Sequence, residues 1–272
     1  MMLMKIPFSK YDGAGNDFVV IDNRSGEVCL TEGQIARVCH RRRGVGADGL
    51  ILLGCGSGGY DFTMRYFNSD GRLADMCGNG GRCIAAFAHS LGLSRPTAEG
   101  PALRFLADDG PHEAVVRRWD KAKAGGVVTI GMRDVEAAGV ERRLEGWLLN
   151  TGVPHYVQQV ADLEHYDVVG EGRRLRHHPD LGPEGANVNF VESTADGRLR
   201  VRTYERGVED ETWACGTGVT ACAIVTGCKR LFSRGGDFEV EYALEGGTYR
   251  HVRLTGPVSL NFEGALDGDS LK

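Results

Sequence analysis

Four short landmarks recur along this chain in the same order and at nearly the same distance. Gly15-Asn16-Asp17-Phe18-Val19 aligns with Gly152-Val153-Pro154-His155-Tyr156, and Gly46-Ala47-Asp48 with Gly185-Ala186-Asn187. Arg65-Tyr66-Phe67-Asn68 aligns with Arg202-Thr203-Tyr204-Glu205, and Cys77 with Cys215. The offsets are 137, 139, 137 and 138 residues. One such match would carry no weight, but four in order argue for two structural halves built on one plan. The period is far longer than a solenoid repeat, so the chain reads as a duplicated domain. Its 272 residues, 42% of them hydrophobic, supply two domains of ordinary size. The polar, Gly-rich stretch Lys121–Gly126 reads as the seam, which gives a first half of 1–120 and a second from 121.

Apolar and alternating runs predict strands at Phe18–Ile21, Leu50–Leu53, Asp61–Phe67, Leu103–Phe105 and Glu113–Val116 in the first half. Val127–Ile130, Trp147–Leu149, Asn189–Glu192, Arg198–Tyr204, Phe238–Tyr242 and Tyr249–Leu254 follow. A helix is expected over about Asn79–His89, with Ile84, Phe87, Ala88 and Leu91 on one face. Its partner runs over about Thr217–Lys229, with Val219, Cys222, Ala223 and Thr226 on one face. A third, amphipathic helix covers Thr31–Cys39. Many strands around one long helix per half predict an α+β fold, a barrel-like domain built twice.

Several functions are excluded early. The net charge of −5 gives no general field for nucleic acid or an anionic membrane. The one basic cluster, His40-Arg41-Arg42-Arg43, reads as solvated surface. No apolar run reaches the length of a membrane span, and Met1–Lys5 lacks the apolar region of a signal peptide. A cytoplasmic protein is expected. The eight cysteines include no C-x-x-C pair and no zinc spacing, so no metal site is expected and most thiols read as small buried side chains. Gly54-Cys55-Gly56-Ser57-Gly58-Gly59 fits G-x-G-x-x-G, but the residues after it alternate like a strand, whereas a dinucleotide site needs a helix there. A hairpin loop is the better reading. Gly44-Val45-Gly46-Ala47-Asp48-Gly49 fits the same pattern with no strand before it.

Cys77 and Cys215 open the same kind of turn: Met76-Cys77-Gly78-Asn79-Gly80-Gly81 and Ala214-Cys215-Gly216-Thr217-Gly218-Val219. A buried structural thiol is the plain alternative for each. The context favours chemistry. A helix start lowers a thiol's pKa, and its uncommitted N–H groups form a carboxylate site. Glycines let those amides approach a ligand without interference from a Cβ. Two copies supply an acid, a base and an anion hole. That set suits inversion at an amino-acid α-carbon without a cofactor, where one base alone would return the proton to the face it left.

Polar residues gather at the repeat landmarks: Asn16 and Asn68 in the first half, Asn187, Glu205 and Arg206 in the second. Singly, each Asn is an ordinary turn residue. Together, Glu205 offers a carboxylate to an ammonium group and Arg206 a fork to a second carboxylate. His155 either orients a cysteine, shuttles a proton or is structural.

Met-Cys-Gly-Asn-Gly-Gly-Arg-Cys at 76–83, Tyr-Glu-Arg-Gly at 204–207, Ala-Cys-Gly-Thr-Gly at 214–218 and Gly-Ala-Gly-Asn-Asp-Phe at 13–18 closely resemble the diaminopimelate epimerase family. Phe-Asn-Ser-Asp-Gly at 67–71 and Val-Gly-Ala-Asp-Gly at 45–49 are also similar to it. The resemblance covers essentially the whole chain. It implies two pseudo-symmetric domains with the site in the cleft between them, and a last strand at 260–272 that returns to the first half, leaving 121–259 to the second. It implies cofactor-independent interconversion of LL- and meso-diaminopimelate, in the supply of lysine and peptidoglycan precursors, by a protein that is often a homodimer. Cys77 and Cys215 become the acid/base pair. Asn16, Asn68, Asn187, Glu205 and Arg206 hold the substrate's amino and carboxylate groups, and the amides around Gly78-Asn79 and Gly216-Thr217 bind the carboxylate at the reacting centre. Val153 stands where many members have Asn, and Gly49 where some have Gln, which implies a different hold on the far end of the substrate. The alternatives are a proline- or hydroxyproline-type racemase or epimerase of the same fold, whose first motif carries His after Cys-Gly, and a binding protein that uses the thiols for redox or metal.

Overall fold

The structure, a computed structural model, describes residues 5–74 and 76–268; the reading of the first four residues lies outside them. Two compact units are present. One comprises the residues up to Ile130 and those from Pro257 onward, the other Gly131–Gly256.

In the first unit, Lys5–Gly13 pairs antiparallel with Asn16–Asp22. Asn16–Asp22 pairs parallel with Gly49–Cys55, and the crossover carries helix α1, Glu32–Cys39. Gly49–Cys55 turns back antiparallel on Phe62–Asn68. Phe62–Asn68 in turn pairs parallel with Ala102–Ala107, and this second crossover carries helix α2, Gly78–Ser90. Gly110–Asp120 and Gly125–Gly131 complete the meander.

The second unit follows the same schedule. Gly146–Asn150 pairs antiparallel with Pro154–Gln159, which pairs parallel with Asn187–Ser193 across helix α3, Val168–Arg176. Leu199–Glu205 runs antiparallel to Asn187–Ser193 and parallel to Arg230–Ser233 across helix α4, Gly216–Thr226. Gly236–Glu245 and the first part of Thr248–Asp267 close it. The last part of that strand, Ser259–Asp267, pairs with Lys5–Asp12 of the first unit's meander.

The parallel strands explain the apolar runs. In Asn16–Asp22, Val19 and Ile21 join Ile35 and Val38 of α1 in one core cluster. Phe18, the neighbour of Val19, faces the opposite way and closes on Gly80 of α2. A strand covered on both faces needs unbroken hydrophobicity rather than alternation. Both α2 and α4 are buried on every side over most of their length. The single apolar faces expected for them are therefore too narrow: Ala85 and Ala86, and Thr220 and Ala221, are buried outside the predicted stripes, while Leu91 is only partly buried and Thr226 is exposed at their far ends. Strands surround these helices, and small residues let them approach.

Other differences have local causes. α4 ends at Thr226 rather than Lys229 because Gly227 takes a left-handed conformation, φ 73°. Lys121–Ala124 forms the turn of the hairpin Gly110–Asp120/Gly125–Gly131, and the chain leaves the first unit after Ile130. The same small, polar composition serves a turn as readily as a linker. Gly54–Gly59 closes the hairpin in which Cys55 pairs with Phe62, as expected. Four cysteines are buried, while Cys29 and Cys55 are exposed and Cys77 and Cys228 partly so, fewer buried thiols than the sequence suggested.

Gly13 shows how tightly a strand seats on α2. A Cβ there would lie 2.8 Å from the Asn79 carbonyl oxygen and 3.0 Å from the Cys83 sulfur. Gly13→Ala is expected to cost about 1–3 kcal/mol in urea unfolding, with a shift in the environment of α2 visible by NMR.

Candidate active site

Strand direction brings the landmarks to one end of each unit's sheet. Asn16–Asp22 and Gly49–Cys55 are parallel, and Phe62–Asn68 is antiparallel to the latter. Two strand starts and one strand end therefore meet, which puts Asn16, Gly49 and Asn68 on the same edge. In the second unit the starts at Pro154 and Asn187 and the end at Glu205 meet in the same way.

In the first unit, Cys77 is the N-cap of α2, and its sulfur accepts the Gly80 amide at 3.2 Å. The Cys77 thiol lies 4.0 Å from Asn16 Oδ1, which also accepts from Asn79 Nδ2 at 3.3 Å. Asn16 Nδ2 donates to Asp48 Oδ2 at 2.7 Å, so the amide turns its oxygen toward the cysteine. Asn79 is oriented from beneath: fully buried Arg82 donates through Nη2 to Asn79 Oδ1 at 2.8 Å and through Nη1 to the Gly78 carbonyl at 3.1 Å. Burial lowers the Arg82 pKa, against the pull of Cys83, Cys77 and Asp12. Asn68, exposed, ends its strand, and its backbone N–H donates to the Arg72 carbonyl at 2.9 Å across the following turn.

Behind Asn16 lies an ionic network. Lys10, almost wholly buried, contacts Asp17 at 2.6 Å and donates to the Gly46 carbonyl. Arg41 reaches both Asp17 at 2.8 Å and Asp48 at 2.6 Å. The basic cluster expected to be simply solvated thus sends one exposed arginine back to hold the two carboxylates. Burial pushes the Asp17 carboxyl up, but hydrogen bonds from Arg41 and Lys10 outweigh it and hold its pKa at about 2.

The second unit arranges neutral groups instead. Cys215 is the N-cap of α4, and its sulfur lies 3.4 Å from the Thr217 hydroxyl. His155, wholly buried, contacts Thr217 Oγ1 through Nε2 at 2.9 Å. Asn187 Oδ1 accepts the Arg206 amide at 2.7 Å, and Asn189 Nδ2 lies 3.1 Å from His155 Nδ1. Burial, with the charge of Arg206, holds the His155 pKa down to about 3 and favours the neutral ring at physiological pH. The sulfur, hydroxyl and imidazole form a line at the start of α4. Glu205 ends its strand beside Arg206, with its carbonyl accepting the Glu209 amide at 2.8 Å. Gly216 lies buried at the helix start, and Thr220 Oγ1 donates to its carbonyl at 3.0 Å.

The sequence reading missed Asn189, Arg82, Asp48 and Lys10. The signal for Asn189 was present: Asn187-Val188-Asn189-Phe190 alternates polar and apolar inside a strand buried on both faces, so its polar file faces a buried site. Arg82 sits in a helix whose neighbours are otherwise small or apolar.

No helix among the described residues is long and apolar enough to cross a membrane. Compared with known proteins, residues 8–104 and 147–251 match the family model described as diaminopimelate epimerase. The chain is 40% identical over 264 residues to a diaminopimelate epimerase of Flavobacterium psychrophilum, covering 93% of this chain and 97% of the other. It is 47% identical over 217 residues to one of Chlorobaculum tepidum, covering 79% and 80%, and 38% identical over 284 residues to one of Aquifex aeolicus, covering 97% and 99%. The solved structure of a probable proline racemase from Agrobacterium radiobacter shares the fold, with a TM-score of 0.70 at 14% identity over 98% of this chain and 95% of that one. A phenazine biosynthesis protein of the PhzF family from Bacillus anthracis gives 0.68, also at 14% identity, over 97% and 99%.

The depressed Asp17 pKa sets a pH dependence. The carboxyl titrates near 3.8 when unperturbed and about 2 when folded, so its stabilisation is full above the first value and lost as pH falls through the second. Asp17→Asn should lower stability by about 1–2 kcal/mol at pH 7. Chemical denaturation across pH should show the gap to the native chain narrowing below about pH 4.

Proposed function

Because the chain belongs to the diaminopimelate epimerase family, we propose that it interconverts LL- and meso-2,6-diaminopimelate by a cofactor-independent, two-thiol mechanism. The observation that carries this reading is structural repetition: the family's two cysteine motifs fall at the same place in the same schedule of strands, each as the N-cap of a buried helix.

One thiolate removes the α-proton, and the opposing thiol delivers a proton to the other face of the carbon. The thiol that gave its proton becomes the next base, so the pair works in both directions. The charge that moves into the α-carboxylate is met by the first-turn amides around Gly78-Asn79 and Gly216-Thr217, which are fixed before the reaction begins and need no reorganisation. Asn16, Asn68 and Asn187 present amides, Glu205 a carboxylate for an ammonium group and Arg206 a guanidinium for a carboxylate. His155 is neutral and supports the second thiol through Thr217. The product serves lysine and peptidoglycan precursor synthesis, and the protein acts in the cytoplasm as a homodimer, without nucleic acid or membrane as a partner.

Proton NMR of LL-diaminopimelate with the protein in D2O under reducing conditions tests the reading, with L-proline and trans-4-hydroxy-L-proline in parallel. Deuterium should enter one α-position as the meso product forms. Exchange with an imino acid alone would replace the substrate and keep the chemistry, and no exchange with any of them would overturn the epimerase reading. Cys77→Ser and Cys215→Ser should each lower the rate of inversion by about 10²–10⁴-fold, with circular dichroism unchanged.

A further inference from the structure

The neutral line behind Cys215 has a direction that can be worked out atom by atom. Asn189 Nδ2 lies 3.0 Å from the Tyr156 carbonyl, which only accepts, so this end of the amide is the donor. Its oxygen accepts from the Thr203 hydroxyl at 2.9 Å, which agrees. The second N–H of the amide points at His155 Nδ1, 3.1 Å away. A neutral imidazole has one donor and one acceptor nitrogen, so Nδ1 accepts and the ring proton sits on Nε2. Nε2–H then donates to Thr217 Oγ1 at 2.9 Å. With its oxygen taken as an acceptor, the threonine hydroxyl has its own proton left for the Cys215 sulfur at 3.4 Å.

The opposite tautomer is the competing arrangement. Asn187 presents Nδ2 to His155 Nε2 at 3.4 Å, because its oxygen is held by the Arg206 amide. A proton on Nδ1 would satisfy that contact but would set two donors against each other at 3.1 Å. The shorter clash in a fully buried site decides. His155, Asn187, Asn189 and Thr203 are all nine-tenths buried or more, away from bulk solvent.

We propose that Asn189 is a positioning residue for Cys215: it fixes the Nε2–H tautomer of His155, and the relay His155–Thr217 aims a hydroxyl proton at the sulfur and favours its thiolate. This rests on the epimerase reading for its purpose, though not for its geometry. Thr217 thereby has a second task besides presenting its backbone amide. The relay is built from neutral groups, so it acts without adding a charge at the place where the substrate carboxylate is to bind. The charged and titratable groups set against the relay are Arg206, which acts on His155, and Cys222 on α4, which acts with Cys215. Burial raises the Cys222 thiol far above its ordinary range, so it stays neutral.

The test uses the Cys77→Ser background, so that alkylation of Cys215 by iodoacetamide can be followed by mass spectrometry against pH, without substrate. Thr217→Val should move the Cys215 titration upward by about one pH unit, a tenfold loss of alkylation rate below it, and Thr217→Ser should restore it. Nitrogen-15 NMR of histidine-labelled native protein should show protonated Nε2 and unprotonated Nδ1 for His155. Asn189→Asp supplies an acceptor opposite Nδ1 and should move the proton to that nitrogen. A Cys215 titration unmoved by Thr217→Val, or a ring proton on Nδ1 in the native protein, would overturn the proposal. Because neither readout needs turnover, its failure leaves the epimerase reading standing, and failure of the turnover assay leaves these readouts intact.

Discussion

Each unit buries the beginning of its central helix, and the rest of the structure follows from that constraint. A helix start carries N–H groups that no residue of the helix can satisfy. At the surface, water would meet them. Here the first turns of α2 and α4 lie within the strands that surround them, so the protein must supply partners or leave the donors for a ligand. Cys77 answers part of the demand: its sulfur takes the Gly80 amide. The glycines after each cysteine answer a second demand, which is space. A Cβ at Gly81 would strike Ile130, and one at Gly218 would strike the Asn189 side chain. The same small residues that let the helix enter the barrel keep side-chain bulk away from its first turn. On the proposed reading, packing and anion binding share one solution.

The parallel strand pair in each unit is the second element of the design. Were consecutive strands all antiparallel, successive starts and ends would alternate between the two edges of the sheet. The crossovers through α1 and α3 reset the direction, so that Asn16 and the Gly46–Gly49 turn come to the edge where Asn68 leaves its strand. His155, Asn187 and Glu205 repeat this in the second unit. The landmarks that betrayed the duplication mark the sheet edge where functional groups can gather, while the strand interiors kept only their hydrophobicity and diverged in detail.

That division explains what could be read without coordinates. Phe18–Ile21 and Leu50–Leu53 announce themselves because strands covered on both faces must be apolar throughout. Gly227 ends α4 by backbone conformation, a signal overridden in the reading by the helical pattern that ran past it. Lys5–Gly13 was not recognisable as a strand because Lys10 and Lys5 interrupt it, and the Asp17 carboxylate and the Gly46 carbonyl make a buried lysine acceptable there. α3 was hidden by two glycines and three arginines in nine residues. Gly172 is required by the ring of Tyr204, a contact between segments distant in sequence. The cysteines and the residues at the sheet edges were legible because they sit beside glycine turns. Arg82 was not, because a polar residue within a helix looks like solvated surface until its neighbours are shown to bury it, and Asn189 had only the alternation of Asn187–Phe190 to mark it.

The two copies also show what duplication leaves free to change. Behind Cys77 and Asn16 stand ions: a buried guanidinium, a buried ammonium and two carboxylates, with Arg41 as the exposed clasp. Behind Cys215 stand an imidazole, two amides and two hydroxyls, all neutral near pH 7. An ionic support acts over distance, is screened where it meets solvent, and needs each partner to avoid a stranded charge. A neutral relay acts only through contact and carries direction, since each donor fixes the role of the next atom. An enzyme that must hold one thiol ionised and the other protonated, and exchange those states every turnover, gains from supports that do not respond alike. On the proposed two-thiol reading, identical backing would give the two sulfurs equal proton affinities. With one sulfur backed by fixed charge and the other by a polarised hydroxyl, their affinities can be set separately within two copies of the same fold.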